Sequence, residues 1–214
     1  MVVVAENTLF TKECADGARD HAKKLGIQVL GFEAWDGKAS SYEALASKIK
    51  ESGAESVYLG GIVCNNGGKL IEDLRAGLGA GVTLVAPDGF TPFSAVVDGA
   101  GSAAEGLWVS IAGLPNEKLG SVGRKFLTDF KAFQGKTADP YAVYAGQAAV
   151  VLLDAIARSN GTRPSVTSEL FKTKVTNGIF GSFNIDRNGD TTLKGITIYK
   201  IVNGSGHFNR LITP

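Results

Sequence analysis

Residues 82–91 read VTLVAPDGFT. Residues 82–86 are apolar enough for a core strand, yet they run straight into Pro87, Asp88, Gly89 and Phe90. A strand that delivers a carboxylate and an aromatic ring at its tip invites a look at how the other strands end. Residues 2–5 (VVVA) run into ENTLF, which offers Asn7, Thr8 and Phe10. Residues 56–60 run into GGIVCNNGG, which offers Gly60, Gly61, Ile62, Cys64 and Asn65. Between these strands lie helical patterns at 11–25, 40–51 and 66–78. Gly26 and Gly53 stop the first two, and Leu70, Ile71, Leu74 and Leu78 keep helical spacing in the third. Further strands are expected at 27–34 and 106–111. Strands alternating with helices of this length require right-handed crossovers, which makes a parallel sheet covered on both faces. The strands are apolar without strict alternation, as doubly covered strands are. The fold class is therefore α/β, a doubly wound parallel sheet in the order 2-1-3-4-5.

In such a sheet, ligands sit outside the carboxyl ends of the strands. The three loops after strands one, three and four then share one rim. They would hold a small molecule carrying an amine or ammonium group, with Asp88 meeting the nitrogen and Phe10, Ile62 and Phe90 as walls. Gly60 and Gly61 would present bare backbone. Pro-Asp-Gly is also strong turn chemistry by itself, so a turn-only role for Asp88 stays open.

After residue 111 the pattern changes. Residues 119–133 form an amphipathic helix with Val122, Phe126, Phe130 and Phe133 on one stripe. The helix at 141–158 is apolar nearly all round, broken by Gln147 and Asp154, and is expected to be buried on most sides. A short helix at 166–171 and two β-like runs, 181–186 and 192–202, joined by DRNGD, complete the chain. The expected division is an α/β domain at 1–115, a helical segment at 116–176 and a C-terminal hairpin segment at 177–214.

Composition excludes several classes. Of 214 residues, 44% are hydrophobic and 20% charged, enough for a sizeable core, and the net charge of +1 supports neither a nucleic-acid groove nor a basic membrane face. No apolar run is long enough to span a bilayer. Met1 leads directly into a strand, with no charged leader, as in a mature product or a fragment cut near a domain boundary. No nucleotide cradle is present, so no cofactor is expected. His21 and His207 have no nucleophile or acid pattern around them, so no enzyme is expected. Asp186, Asn188 and Asp190 mimic a calcium loop, but Gly195 stands where the bidentate Glu belongs, and a hairpin turn at Asn188-Gly189 is the better reading. Trp35 and Trp108 read as packing residues, with stacking in a cleft as the alternative.

Taken in order, VVVAENTLFTKE, AESVYLGGIVCNNGG with VTLVAPDGF, AAEGLWVS, DPYAVYAGQAAVVLLDAIARSNG and GIFGSFNIDRNGDTTLKGITIYKIVNG resemble the type I periplasmic binding proteins. The group resembled is that of the branched-chain amino-acid (Leu/Ile/Val) solute receptors of ABC transporters. The resemblance implies lobe two of such a receptor with the helices that return to lobe one and a closing hairpin. It implies an extracytoplasmic location, a small-molecule solute such as an amino acid, amine or amide, and an ABC permease as partner of the intact receptor. Phe10 resembles the aromatic residue of the first loop, often Tyr. Gly61 and Ile62 stand at the third-strand tip, where Tyr often replaces Ile62. Asp88 resembles the acid that meets the ligand's ammonium group. Phe10 and Ile62 make this half-site more apolar, which favours aromatic or amide ligands over a plain aliphatic amino acid. The lobe that normally precedes lobe two is missing from these residues. Residues 119–158 would then expose apolar surface and drive self-association.

Two other functions share the fold: a ligand-sensing domain of a signalling receptor and a flavodoxin-like enzyme domain. Cys14 and Cys64 fit no metal spacing. They read as two free thiols, or as a disulfide, since the strands they follow are neighbours in the expected order.

Overall fold

The core strand VVVAE forms β1 (Val2–Glu6), and all five of its residues are buried. It pairs in parallel with β2 (Gly31–Trp35) on one side and β3 (Ser56–Gly60) on the other. The structure, a computed structural model, describes residues 1–6 and 8–213, with only the backbone of Leu9 and Phe10. Strands β4 (Thr83–Ala86) and β5 (Trp108–Ala112) continue the parallel run. With β8 (Ile196–Val202) and β9 (Ser205–Ile212) they complete a seven-stranded sheet in the order β2-β1-β3-β4-β5-β8-β9. The doubly wound expectation thus holds over the first five strands.

Helices α1 (Leu9–Lys24), α2 (Glu43–Glu51), α3 (Gly68–Leu78) and α4 (Phe93–Ala100) connect the strands. Their apolar stripes meet the sheet, so Ile49, Leu59, Leu70, Ile71, Leu74, Leu84 and Leu107 are fully buried. Strand two is shorter than expected. Residues 27–30 have no strand to pair with, because β1 begins at Val2, which is already opposite Gly31. Helix α4 was not legible in the sequence. It is short and follows Pro92, and it packs where Gly68 meets Gly99 backbone to backbone; a Cβ on Gly68 would stand 2.6 Å from Gly99 C.

The chain divides into two units, residues 1–111 with 198–210 and residues 112–197 with 211–214. In the second unit, α5 (Ser121–Gln134), α6 (Ala142–Arg158) and α7 (Arg163–Leu170) accompany an antiparallel pair, β6 (Lys174–Gly178) and β7 (Gly181–Asn184). Leu119, Val143, Ile179 and Phe180 form its core, with Val122, Phe126 and Leu127 packed against them. Helix α6 does not bury most of its sides. Val143, Gln147, Val151 and Ala155, an i, i+4 stripe, are its buried residues. Gln147 interrupts the apolar run for a reason: its Oε1 accepts the Ile179 N–H at 2.6 Å inside this core. The opposite face leaves Val150, Leu152, Leu153 and Ile156 exposed, and Phe133 on α5 is 87% exposed.

The C-terminal hairpin also differs from expectation. DRNGD does turn back on itself, with Ile185 bridged to Thr191 and the Asp186 N–H donating to Asp190 O. The strand beside β8, however, is β9. Asn203 and Gly204 join them with φ of 50° and 70°, the two left-handed residues of a tight hairpin turn.

Asp73 is a buried tie between α3 and the start of α2. Its carboxylate accepts the Tyr42 N–H and the Lys69 ammonium, each at 2.7 Å. Burial pushes the carboxyl up, but the Lys69 and Tyr42 bonds outweigh it and hold the group below the usual carboxylate range. A lowered folded value stabilises the protein above the unfolded pKa of about 3.9, and the gain is lost as pH falls through the folded value. Asp73→Ala should therefore cost about 2 kcal/mol in urea unfolding at neutral pH. The gap from the unsubstituted protein should hold from about pH 7 to pH 5 and narrow below about pH 4.

Candidate functional site

The tip of β1 turns sharply into α1. Thr8 N–H and Thr11 Oγ1–H both donate to Glu6 O, at 2.9 and 2.5 Å, and Thr8 caps the helix in a capping box with Thr11. This turn brings α1 over the third-strand tip, where Gly60 lies against Thr11 O and Ala15 Cβ. Asn7 and the Phe10 side chain, both named from the sequence, lie outside the described residues.

The tips of β3 and β4 meet directly. A Cβ on Gly89 would stand 2.3 Å from Gly61 O and 2.6 Å from Ile62 Cγ2, so the PDGF loop rests on the GGI loop through a glycine. Asp88–Phe90 is a single 3-10 turn, tied by Phe90 N–H to Pro87 O and by Thr91 Oγ1–H to Asp88 O. Asp88 thus does form the turn that its motif favours, and both Asp88 and Ile62 are half-buried. Its charge reaches α1 and β3. Burial, then the Asp88 and Glu13 charges, push the Cys14 thiol up, and burial, then Cys14 and Asp88, push the Tyr58 hydroxyl up.

Two of the named residues take other roles. Phe90 is 0% exposed, so it is no open wall; its ring meets Trp35 edge-on, with centroids 6.0 Å apart, and lies against Gly67. Gly61 is buried too. The space its side chain would take is filled by the Trp35 ring, whose Cη2 and Cζ2 would stand 2.6 Å from a Cβ on that residue. The glycines at this tip exist for packing, and their peptide groups are covered. Trp35 is accordingly a core residue, as its packing reading held.

Sequence reasoning missed Glu6 and the cavity beside it. A cavity of about 590 Å³ is lined by Glu6, Trp35, Asp36, Lys38 and Asn65 among others. Glu6 is 7% exposed, and Asn65 Nδ2 donates to its Oε1. The signal available in sequence was a lone acid ending an all-apolar strand, which reads equally well as the first polar residue of a loop.

The periplasmic binding protein family profile matches residues 1–206. This chain belongs to that family. It is a family of binding proteins, not of enzymes. Over 203 residues this periplasmic binding protein is 27% identical to the leucine-, isoleucine-, valine-, threonine- and alanine-binding protein of Pseudomonas aeruginosa, covering 94% of this chain and 52% of that one. It is 24% identical to Leu/Ile/Val-binding protein homolog 1 of Brucella abortus, covering 98% of this chain and 55% of the relative. The chain therefore spans about half the length of these curated relatives. Among solved structures, the leucine-binding protein LivK of Thermotoga maritima superposes with a TM-score of 0.89 at 26% identity, over 100% of this chain and 60% of that one. Among the described residues, no group of three His, Cys, Asp or Glu could hold a metal ion, and no helix is long and apolar enough to cross a membrane.

The Cys14–Cys64 bridge is not formed. Both thiols are free, Cys14 half-buried on α1 and Cys64 exposed in the loop after β3. Neighbouring strands do not suffice, because a bridge also needs side chains directed at each other. In a thiol assay on the folded protein without reductant, two thiols should titrate, Cys64 fast and Cys14 slowly. Mass mapping of the first alkylated cysteine checks the order.

Proposed function

We propose that the chain is part of the solute-binding component of an ABC importer for branched-chain or related amino acids and amides. The ligand would be held at the carboxyl rim of the parallel sheet by Ile62 and Asp88, with Phe10 as a further wall. The observation that carries this reading is the direct meeting of the β3 and β4 tips, where Gly89 of the PDGF loop lies against Gly61 O and Ile62 Cγ2 at one rim. The relatives' names support the solute class, and that of the family supports a place outside the cytoplasm. In this reading Asp88 takes the ligand's nitrogen, Gly61 and Phe90 hold the loops from behind, and a facing lobe of the whole receptor closes the cleft. A permease would then take up the solute.

The exposed face of α6 belongs to the same reading. Leu152, Ile156, Leu153 and Val150 follow one another around one side of the helix, opposite its buried stripe. In the whole receptor this face would pack on the rest of the protein, and the chain alone would self-associate through it, with residues 119–158 as the contact.

Isothermal titration with leucine, isoleucine and valine tests the solute reading. Asp88→Asn should weaken binding by roughly ten- to a hundredfold, the worth of a charge-assisted hydrogen bond. Unchanged affinity would remove Asp88 from the site. Separately, sedimentation of the 214-residue chain should show dimers or larger species. Leu152→Glu with Leu153→Lys should return it to a monomer, and a monomer without these substitutions would refute the association.

A further inference from the structure

The DRNGD turn has no part in the solute site, and it holds one of five Asn-Gly pairs in the chain: Asn66-Gly67, Asn160-Gly161, Asn177-Gly178, Asn188-Gly189 and Asn203-Gly204. In such a pair the backbone nitrogen of the glycine can reach the asparagine Cγ and close a five-membered ring. Glycine has no Cβ to obstruct that approach. Closure needs an amide side chain that is free to swing and a following N–H that can be given up. It also needs backbone that can leave its resting conformation at low cost. The five pairs differ in these respects.

Four of them are restrained. Asn66 Nδ2 donates to Ala39 O at 2.8 Å and to the Tyr42 hydroxyl at 3.2 Å, and Gly67 is buried against the Phe90 ring. Asn160 Oδ1 accepts both the N–H and the hydroxyl of Thr162, and the Gly161 N–H donates to Ser159 Oγ at 3.1 Å. Gly178 is a ladder residue opposite Gly181, held where a Cβ would collide with the Gln147 side chain. At Asn203-Gly204 both backbone N–H groups donate to the Glu105 carboxylate, at 3.1 and 3.5 Å. Taking the proton from Gly204 N would set an anion beside an anion. That turn also joins two strands of the seven-stranded sheet.

Asn188 is placed differently. Asn188 and Gly189 are both exposed. The Asn188 side chain has no hydrogen bond among the described residues, and its backbone N–H donates to Asp186 Oδ1 at 2.8 Å. The Gly189 N–H meets a neutral carbonyl, Asp186 O, at 3.1 Å. An isolated bridge between Ile185 and Thr191 closes the turn, so local opening breaks few contacts. We propose that Asn188 is the site at which the folded protein deamidates. Gly189 N gives its proton to solvent base and attacks Asn188 Cγ. The N–Cγ bond forms, the Cγ–Nδ2 bond breaks, and Nδ2 takes a proton from water and leaves as ammonia. A second water then opens the succinimide at either carbonyl, giving aspartate or isoaspartate. Isoaspartate routes the backbone through the side chain and lengthens it by one methylene. That lengthening falls between the N–H groups of residue 188 and Asp190, which Asp186 Oδ1 now holds together at 2.8 and 3.0 Å, and it unties the turn.

The test incubates the folded chain in mildly alkaline buffer, samples it over days and maps the five pairs by mass spectrometry with fragmentation that separates aspartate from isoaspartate. Asn188 should convert first, roughly tenfold or more ahead of each of the other four, with both products present. In denaturant the five rates should converge, because only the neighbouring residues then set them. Asn188→Ser should remove the early product and leave the other four rates unchanged. Hydrogen exchange at the Asp190 N–H should quicken in the isoaspartate form and not in Asn188→Asp, whose backbone path is unaltered. Another pair converting first in the folded protein overturns the assignment. So does an equal lead for Asn188 in denaturant, since the lead would then belong to the local sequence and not to the fold. Equal exchange at Asp190 in both forms overturns the untying of the turn.

Discussion

The rim of this sheet depends on the absence of three side chains. Gly61, Gly67 and Gly89 leave room at the ends of β3 and β4, and Trp35, Phe90 and the two loops close into that room. Any Cβ at Gly61 would collide with the Trp35 ring, and any at Gly89 with the Gly61 carbonyl. Interiors packed to crystal-like density do not absorb such collisions. The contact of Trp35 with Phe90 follows, and it spans from the edge strand β2 to the loop after β4. Other groups then take the remaining positions around these rings: aliphatic Ile62 and acidic Asp88 on the loops, and polar Glu6 and Asn65 in the cavity lining with Trp35.

This arrangement changes how the rim's residue types are understood. A glycine pair at a strand tip suggests backbone offered to a ligand, and a phenylalanine after it suggests a wall. Here the glycines admit large rings from within the same unit, and the phenylalanine is one of those rings. What faces outward is smaller and more polar. In the proposed reading the rim would recognise a small solute by a few placed groups on an aromatic base.

The helical unit shows a related separation between pattern and burial. An almost uniformly apolar α6 reads as a helix enclosed on all sides, and four residues of one stripe are what the unit itself buries. The exposed remainder is consistent with a chain spanning about half of its curated relatives. Periodicity reports that a face is apolar; it does not report which body covers it. Gln147 is the opposite case, a polar break in the run that satisfies a buried backbone N–H of Ile179.

What the sequence determined alone was local in origin. Alternating apolar runs, helical spacing and glycine stops set the order of strands and helices, and right-handed crossovers made the first five strands parallel with their tips on one rim. Asp88 and Ile62 could be placed there for that reason. The tertiary structure decided everything that turns on register and close approach: Glu6 beside Trp35, Phe90 inward, Gly61 covered, Cys14 and Cys64 unbridged, and β9 as the partner of β8. These are contacts between residues far apart in the chain. No local pattern encodes which side chain fills the space that a distant glycine leaves.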